Sequence, residues 1–324
     1  MNKDKTIFIS IAAYNEIYIE QTIENALLMA KYPDRLRFGV FSLNSDNKIP
    51  DLSQFKNTKL IAAQHPTLIG VCSGRMGAMF LYNNEDFYMQ IDAHMLFDRN
   101  WDDILINSYY TIVEETGCKI PLITTRTAWW YNGENNKILR YNPDNRIMQS
   151  MLVYDKKSYL KNDFPLTIGG DFMWKENEKY HEHYIFSAHF AFTSGSFIFD
   201  VMPDINFYFY GEEQTTGLRA WTRGYRMFFL PHNIIWHYNK GIITKNNKPS
   251  HKHIYSYDRI KEAKNNKEEQ KNAKISIERT RKILTGEILG YWGSPTKELL
   301  EEYQKKLDFN FKEFYKKRDE IKNK

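Results

Sequence analysis

The residues best suited to chemistry stand at the end of an apolar run, where Phe87-Tyr88-Met89-Gln90-Ile91 leads into Asp92-Ala93-His94. In a strand, positions two apart face the same side. Asp92 and His94 can therefore offer a carboxylate oxygen and an imidazole nitrogen to one cation while Ala93 faces away. Such donors suit manganese and related divalent ions, and a cation held there would stabilise negative charge on a departing diphosphate. Asp-x-His in isolation is more often a solvated strand end, so its neighbours must decide.

Arg75 precedes the motif on a short helical segment, Gly74 to Asn83, from which a guanidinium can reach phosphate; a single Arg is otherwise an exposed ion-pair partner. Tyr210-Gly211-Glu212-Glu213-Gln214 opens a helix that continues through Leu218, Arg219, Trp221 and Arg223 and stops at Gly224. Acidic residues in a first turn suit the helix dipole; the functional alternative is that Glu212 or Glu213 binds hydroxyls and assists proton transfer. His237 follows an apolar strand and can supply a third metal ligand, although a lone His is usually structural.

The elements that must carry these residues alternate. Residues 6–12 predict a strand, Ile19 to Ala30 a helix with apolar residues on one face, Leu36 to Ser42 and Lys59 to Ala63 two more strands, Trp101 to Glu115 a helix and Pro121 to Thr125 a buried strand. This pattern predicts an α/β fold with a mixed, mostly parallel sheet flanked by helices, whose ligands sit beyond the carboxyl ends of its strands. Residues 129–187 read as a loop-rich insertion on the acceptor side. After Phe190-Ala191-Phe192, the Thr193-Ser194-Gly195-Ser196 segment leads into another apolar strand. Arg226–Leu230 and Asn233–Trp236 read as a final strand pair. A lysine-rich helical extension, 251–324, follows a catalytic unit of 1–250, and its stripe of Leu299, Leu300, Tyr303, Leu307, Phe311 and Phe314 predicts packing on its own domain.

With 324 residues, 42% hydrophobic and 15% aromatic, the chain can bury a large core, and 45 basic against 40 acidic residues make a net +5 too slight to argue for nucleic acid. Cys72 and Cys118 are too few for a disulfide framework or a zinc ribbon. The N-terminus runs directly into the first strand, and no segment approaches the roughly 18 apolar residues of a membrane span. The expectation is a soluble, cytoplasmic protein, with oligomer or partner contacts through the C-terminal helices left open.

The order of these pieces resembles the retaining glycosyltransferases of the glycosyltransferase-A fold. It comprises Ile7 to Glu16, Gly70 to Ala78 with Arg75, Gln90 to His94, Asn100-Trp101-Asp102, Ser194-Gly195-Ser196, Gly211-Glu212-Glu213 with Arg219, Trp221 and Gly224, and Pro231 to His237. It is most similar to the hydroxyproline N-acetylglucosaminyltransferases (glycosyltransferase family 60) and more distantly to the polypeptide N-acetylgalactosaminyltransferases. The resemblance implies that Asp92, His94 and His237 hold manganese or magnesium on a UDP-sugar. It implies Ala12, Tyr14 and Glu16 beside the nucleotide, Arg75 at the uridine or phosphates, Asp46 as a candidate uracil reader, Ser194 and Gly195 bordering the sugar, and Glu212 and Glu213 facing sugar and acceptor. It further implies N-acetylglucosamine transfer, with retention, to a hydroxyl on a protein, hydroxyproline among them, or on a glycan. A nucleotidyltransferase would need a glycine-rich phosphate loop, and residues 12–20 lack glycine. A catalytically inactive glycan-binding or nucleotide-sugar-binding module of the same fold is the reading from a different class.

Overall fold

The computed structural model describes residues 3–44, 49–64, 70–132, 137–141, 151–170, 180–230, 233–238 and 267–323. The first half runs β1 (Ile7–Tyr14), α1 (Ile19–Met29), β2 (Leu36–Asn44), β3 (Thr58–Gln64), α2 (Val71–Met79), β4 (Phe87–Asp92), β5 (Met95–Phe97), α3 (Trp101–Thr116) and β6 (Ile120–Thr124). Short strands follow: β7 (Ala128–Asn132), β8 (Ile138–Tyr141), β9 (Met151–Tyr154), β10 (Thr167–Gly170), β11 (His181–His183) and β12 (Phe190–Ser194). The remainder is α4 (Phe197–Asp200), α5 (Glu212–Thr222), β13 (Tyr225–Phe229), β14 (Ile235–Tyr238), α6 (Lys267–Leu284), α7 (Lys297–Leu307) and α8 (Phe311–Lys322).

Among the described residues, eight strands form the main sheet in the order β11-β13-β6-β12-β4-β1-β2-β3. β1 is parallel to β2 and β4, β2 to β3, and β13 to β6; β12 is antiparallel to both of its neighbours, as β11 is to β13. A four-stranded sheet, β5-β14-β7-β8, abuts the end of β4, and β9 pairs with β10.

β1 reads apolar almost throughout because both of its faces are covered. Ile7, Ile9 and Ile11 join one core with Ile23 of α1 and with Leu105 and Ile112 of α3. Phe8, on the alternate face, joins the other core with Leu218 and Trp221 of α5 and Ile283, Leu300 and Tyr303 of the C-terminal helices. Each fully buried Ile or Leu contributes roughly 1.5–3 kcal/mol relative to exposure, so truncating Ile11 to Ala should cost about 2–5 kcal/mol. α2 lies close on β2 because Gly77 faces Phe41, where a Cβ would collide with the ring.

The C-terminal helices cover α5. Leu300, Tyr303, Phe311 and Phe314 are buried, Leu299 and Leu307 partly so, and the Tyr303 hydroxyl donates to Tyr184 O at 2.7 Å. The stripe divides at Asp308 (φ 50°), after which Asn310 caps α8 by accepting from the Glu313 N–H at 3.0 Å.

Three expectations need correction. Described residues within 129–187 contain strands β7 to β11 where loop was expected; their polar, Tyr-rich composition hides short strands. The apolar run after Gly195 forms helix α4. Its Phe197 and Ile198 are buried while Phe199 is exposed, so it presents one face to the core. The last two strands do not pair with each other: β13 joins the main sheet and β14 the small one.

Candidate active site

The site is assembled where β4 ends. Asp92 is the last residue of that strand, and the chain turns through Ala93 and His94 into β5. That turn is pinned from two sides. The Thr22 hydroxyl of α1 donates to Ala93 O and accepts from the Met95 N–H, both at 3.0 Å. The Trp130 indole and the Tyr238 N–H each donate to His94 O at 3.0 Å. β14, paired with β5 through His237↔Met95 and with β7 through His237↔Trp129, brings His237 to the same point.

Asp92, His94 and His237 each turn one ligand atom inward, all within 4.8 Å of one another. His94 Nε2 lies 3.0 Å from His237 Nε2, which lies 3.2 Å from Asp92 Oδ2. Two ligands bound about 2.1 Å from one octahedral ion stand about 3.0 Å apart, so the three residues fit a manganese- or magnesium-sized cation.

The charge around this point supports the same fit. A cavity of about 550 Å³ opens over the strand ends, and its lining carries four carboxylates (Glu16, Asp92, Glu212, Glu213) against two guanidiniums (Arg75, Arg126). Arg75, almost fully buried, contacts Asp92 Oδ1 at 3.2 Å and makes a close ion pair with Glu212. Burial works to raise the Asp92 carboxyl; the hydrogen bond with His237 and the Arg75 charge outweigh it and hold the group well below the ordinary carboxylate range. Burial pushes Glu212 up to about 7 against the pull of Arg75, with Glu213 and Asp92 adding to the rise. Glu213 is also raised, chiefly by burial, although one oxygen accepts from the Ala188 N–H at 3.0 Å. Gly211 allows this arrangement: it enters α5 at φ 94° and sits against Thr280 and Phe207, where a Cβ would not fit.

Of the residues expected at the site, Ala12, Tyr14, Glu16, Arg75, Asp92, His94, Glu212, Glu213 and His237 all line this one cavity. Asp46 lies outside the described residues. Ser194 and Gly195 do not reach the cavity. β12 runs antiparallel to β4, pairing Ser194 with Phe87 and Phe190 with Ile91, so they stand at the far end of the sheet from Asp92. There the Gly195 N–H donates to Asp86 O at 2.9 Å, and close packing on Tyr82 and Glu85 excludes a side chain.

The start of β12 faces the cavity instead, and it brings a residue the sequence reading missed. His189 packs against His237 with ring centroids 5.3 Å apart and accepts from the Thr127 N–H at 3.1 Å. Burial, with the charges of His237 and the nearby guanidiniums, pushes its imidazole down to about 3, so it stays neutral. Arg126 was missed too; it lies over the Trp129 ring at 5.5 Å and faces Glu213. Phe164, Phe209 and Tyr210 complete an aromatic rim. As an arrangement, the cavity can hold a cation and diphosphate at β4 and a hydroxylated group beneath the two glutamates.

Residues 53–308 match the family model described as "Glycosyltransferase (GlcNAc)". No curated protein matches the chain. Among solved structures it is similar to the crystal structure of GalNAc-T7 with UDP, GalNAc and Mn2+, with a TM-score of 0.55 and 13% identity, covering 96% of this chain and 56% of that one. The chain thus spans just over half of that relative's length. The likeness is one of fold, a large mixed α/β sheet flanked by helices of the glycosyltransferase-A kind.

Proposed function

The chain belongs to the glycosyltransferase (GlcNAc) family and is a glycosyltransferase, and we propose that it moves N-acetylglucosamine from its UDP-sugar to a hydroxyl on a protein or glycan, with a divalent cation and with retention at the anomeric carbon. The observation that carries the cation is the convergence of Asp92, His94 and His237 at the end of β4. These residues hold Mn2+ or Mg2+, which when bound offsets charge on the departing diphosphate.

The nucleotide lies at the ends of β1 and β2, against Ala12 and Tyr14, which line the same cavity as Phe41 and Leu43. Arg75 keeps Asp92 and Glu212 oriented and adds positive charge beside the phosphates. Glu212 and Glu213 meet the sugar and the acceptor hydroxyl. Each already has a protein partner in Arg75 or the Ala188 amide, which suits orientation more than covalent attack on the sugar. Retention then follows from attack on one face: the acceptor oxygen bonds to the anomeric carbon, the bond from that carbon to phosphate oxygen breaks, and the same phosphate oxygen receives the acceptor proton.

Residues 1–250 form the catalytic unit in this reading, and 251–324 an extension whose described helices, α6 to α8, buttress α5. A cytoplasmic setting is part of the same reading, supported by Cys72 and Cys118 both being free thiols; among the described residues, no helix is long and apolar enough to cross a membrane. Hydroxyproline is the acceptor that the family 60 resemblance implies. The test is calorimetric titration with UDP in the presence and absence of Mn2+, on wild type and on His237→Ala. UDP binding that needs both the ion and His237 is the expected result. Ion-independent binding of equal strength in both proteins would remove the basis of the proposal.

A further inference from the structure

We infer that Glu16 is a positioning residue for the metal ligand His94 rather than a contact of the nucleotide. The inference rests on the cation reading above and adds to it a residue that fixes one ligand's tautomer and ring orientation.

The geometry runs from the backbone outward. β1 ends in Tyr14, and Asn15 then adopts φ 47°, a left-handed conformation Asn tolerates, with its N–H donating to Leu43 O at 3.0 Å. This turn carries Glu16 under the Asp92-Ala93-His94 segment. One Glu16 oxygen lies 2.7 Å from His94 Nδ1, and the other accepts from the Tyr18 N–H at 3.1 Å. Both side chains are largely withdrawn from solvent, 7% exposed for Glu16 and 10% for His94.

An ionised carboxylate only accepts hydrogen bonds, so the short contact places a proton on His94 Nδ1. His94 Nε2 is turned toward His237 and Asp92, where a metal ligand must offer a lone pair. Each Glu16 oxygen is thus already engaged by the protein, one with the His94 ring and one with the Tyr18 N–H, and together they orient the carboxylate toward the metal ligand. His94 O, held by Trp130 and Tyr238, fixes the other end of the residue, so Glu16 sets the rotation of the ring.

The test measures Mn2+ affinity by calorimetry on metal-free Glu16→Gln and Glu16→Ala proteins, with thermal midpoints recorded in parallel. The expected order is wild type tightest, Gln intermediate because it keeps an accepting oxygen, and Ala weakest. Between wild type and Ala the loss should be about 10–100-fold, as for other partners of metal-bound histidines. Metal-free thermal midpoints should stay within a few degrees. Equal Mn2+ affinity in all three proteins would overturn the inference, as would a loss that simply follows the thermal midpoints. Should the variants not fold, nitrogen-15 spectra of the metal-free wild type decide: the Nδ1–H form of His94 is expected, and the Nε2–H form would contradict it. A wild type that binds no Mn2+ would refute the cation reading itself, a result distinct from variants that bind as well as wild type.

Discussion

The two walls of the cavity are built on opposite plans. The wall at the ends of β4, β5 and β14 is a closed net, in which Thr22, Trp130, Tyr238, Glu16 and Arg75 each hold a backbone or side-chain atom of the Asp92-Ala93-His94 segment. The rest of the lining, from Arg126 and Trp129 round to Phe164, Phe209 and Tyr210, offers mainly ring faces and a guanidinium. Chemistry that depends on charge needs donors fixed to within tenths of an ångström, whereas apolar ring faces admit ligands by shape and tolerate small shifts. The first wall should govern turnover and the second should govern which acceptor is taken.

The strongest way to break that contrast is Asp92→Asn, which removes charge at nearly constant shape. Turnover supported by Mn2+ should fall on the order of a thousandfold or more while the fold persists by circular dichroism. Unchanged turnover would end the assignment of the rigid wall. Glu213→Gln, at the junction of the walls, should lower kcat by about 10–100-fold with UDP affinity within about twofold. Loss of UDP affinity alone would move Glu213 to the donor side.

A pH prediction comes next in size. Since burial raises the Glu212 carboxyl from about 4.5 to about 7, the folded chain binds the proton more tightly than the unfolded one between those values. Stability therefore falls as pH rises from 4.5 to 7, and the favourable protonated state is fully lost above 7. Against Glu212→Gln, metal-free wild type should lose on the order of 1–3 kcal/mol across this window by denaturant titration. Parallel curves for the two proteins would contradict it. The smallest effect belongs to Ser194→Ala at the far end of β12, where turnover should stay within about twofold and stability should fall by about 1–2 kcal/mol, because the hydroxyl bonds Ser196 Oγ at 2.8 Å and the Tyr109 and Tyr225 hydroxyls, away from the cavity. A large loss of turnover would restore Ser194 to the site.

How far the sequence could be read follows from strand direction. β1, β2, β3 and β4 are parallel, and their apolar runs end in polar residues at the carboxyl edge, so Tyr14, Glu16, Asp92 and His94 were legible as neighbours. His237 was legible as a residue, but the small sheet that delivers it was not, because β5 has three residues and β14 four. β12 reversed the logic. Its FAFTS composition looks like any buried strand and carries no sign of direction; the resemblance put Ser194 at the site, nothing in the strand corrected it, and His189, at the other end, was overlooked. Trp129 escaped because composition cannot separate short strands from loops in 129–187, and Arg126 lies in the link between β6 and β7, where no pattern singles it out. Glu16 was placed at the cavity, but its bond to His94 spans 78 residues and depends on the left-handed turn at Asn15.

The most direct test of the central claim is UDP release by the purified chain from a panel of UDP-sugars, first with Mn2+ and then with a chelator, since slow donor hydrolysis requires no acceptor. The account predicts release from UDP-N-acetylglucosamine above the other sugars, abolished by the chelator and absent in Asp92→Asn. No release from any sugar, together with no UDP binding, would contradict it and leave a protein that shares the fold without the reaction.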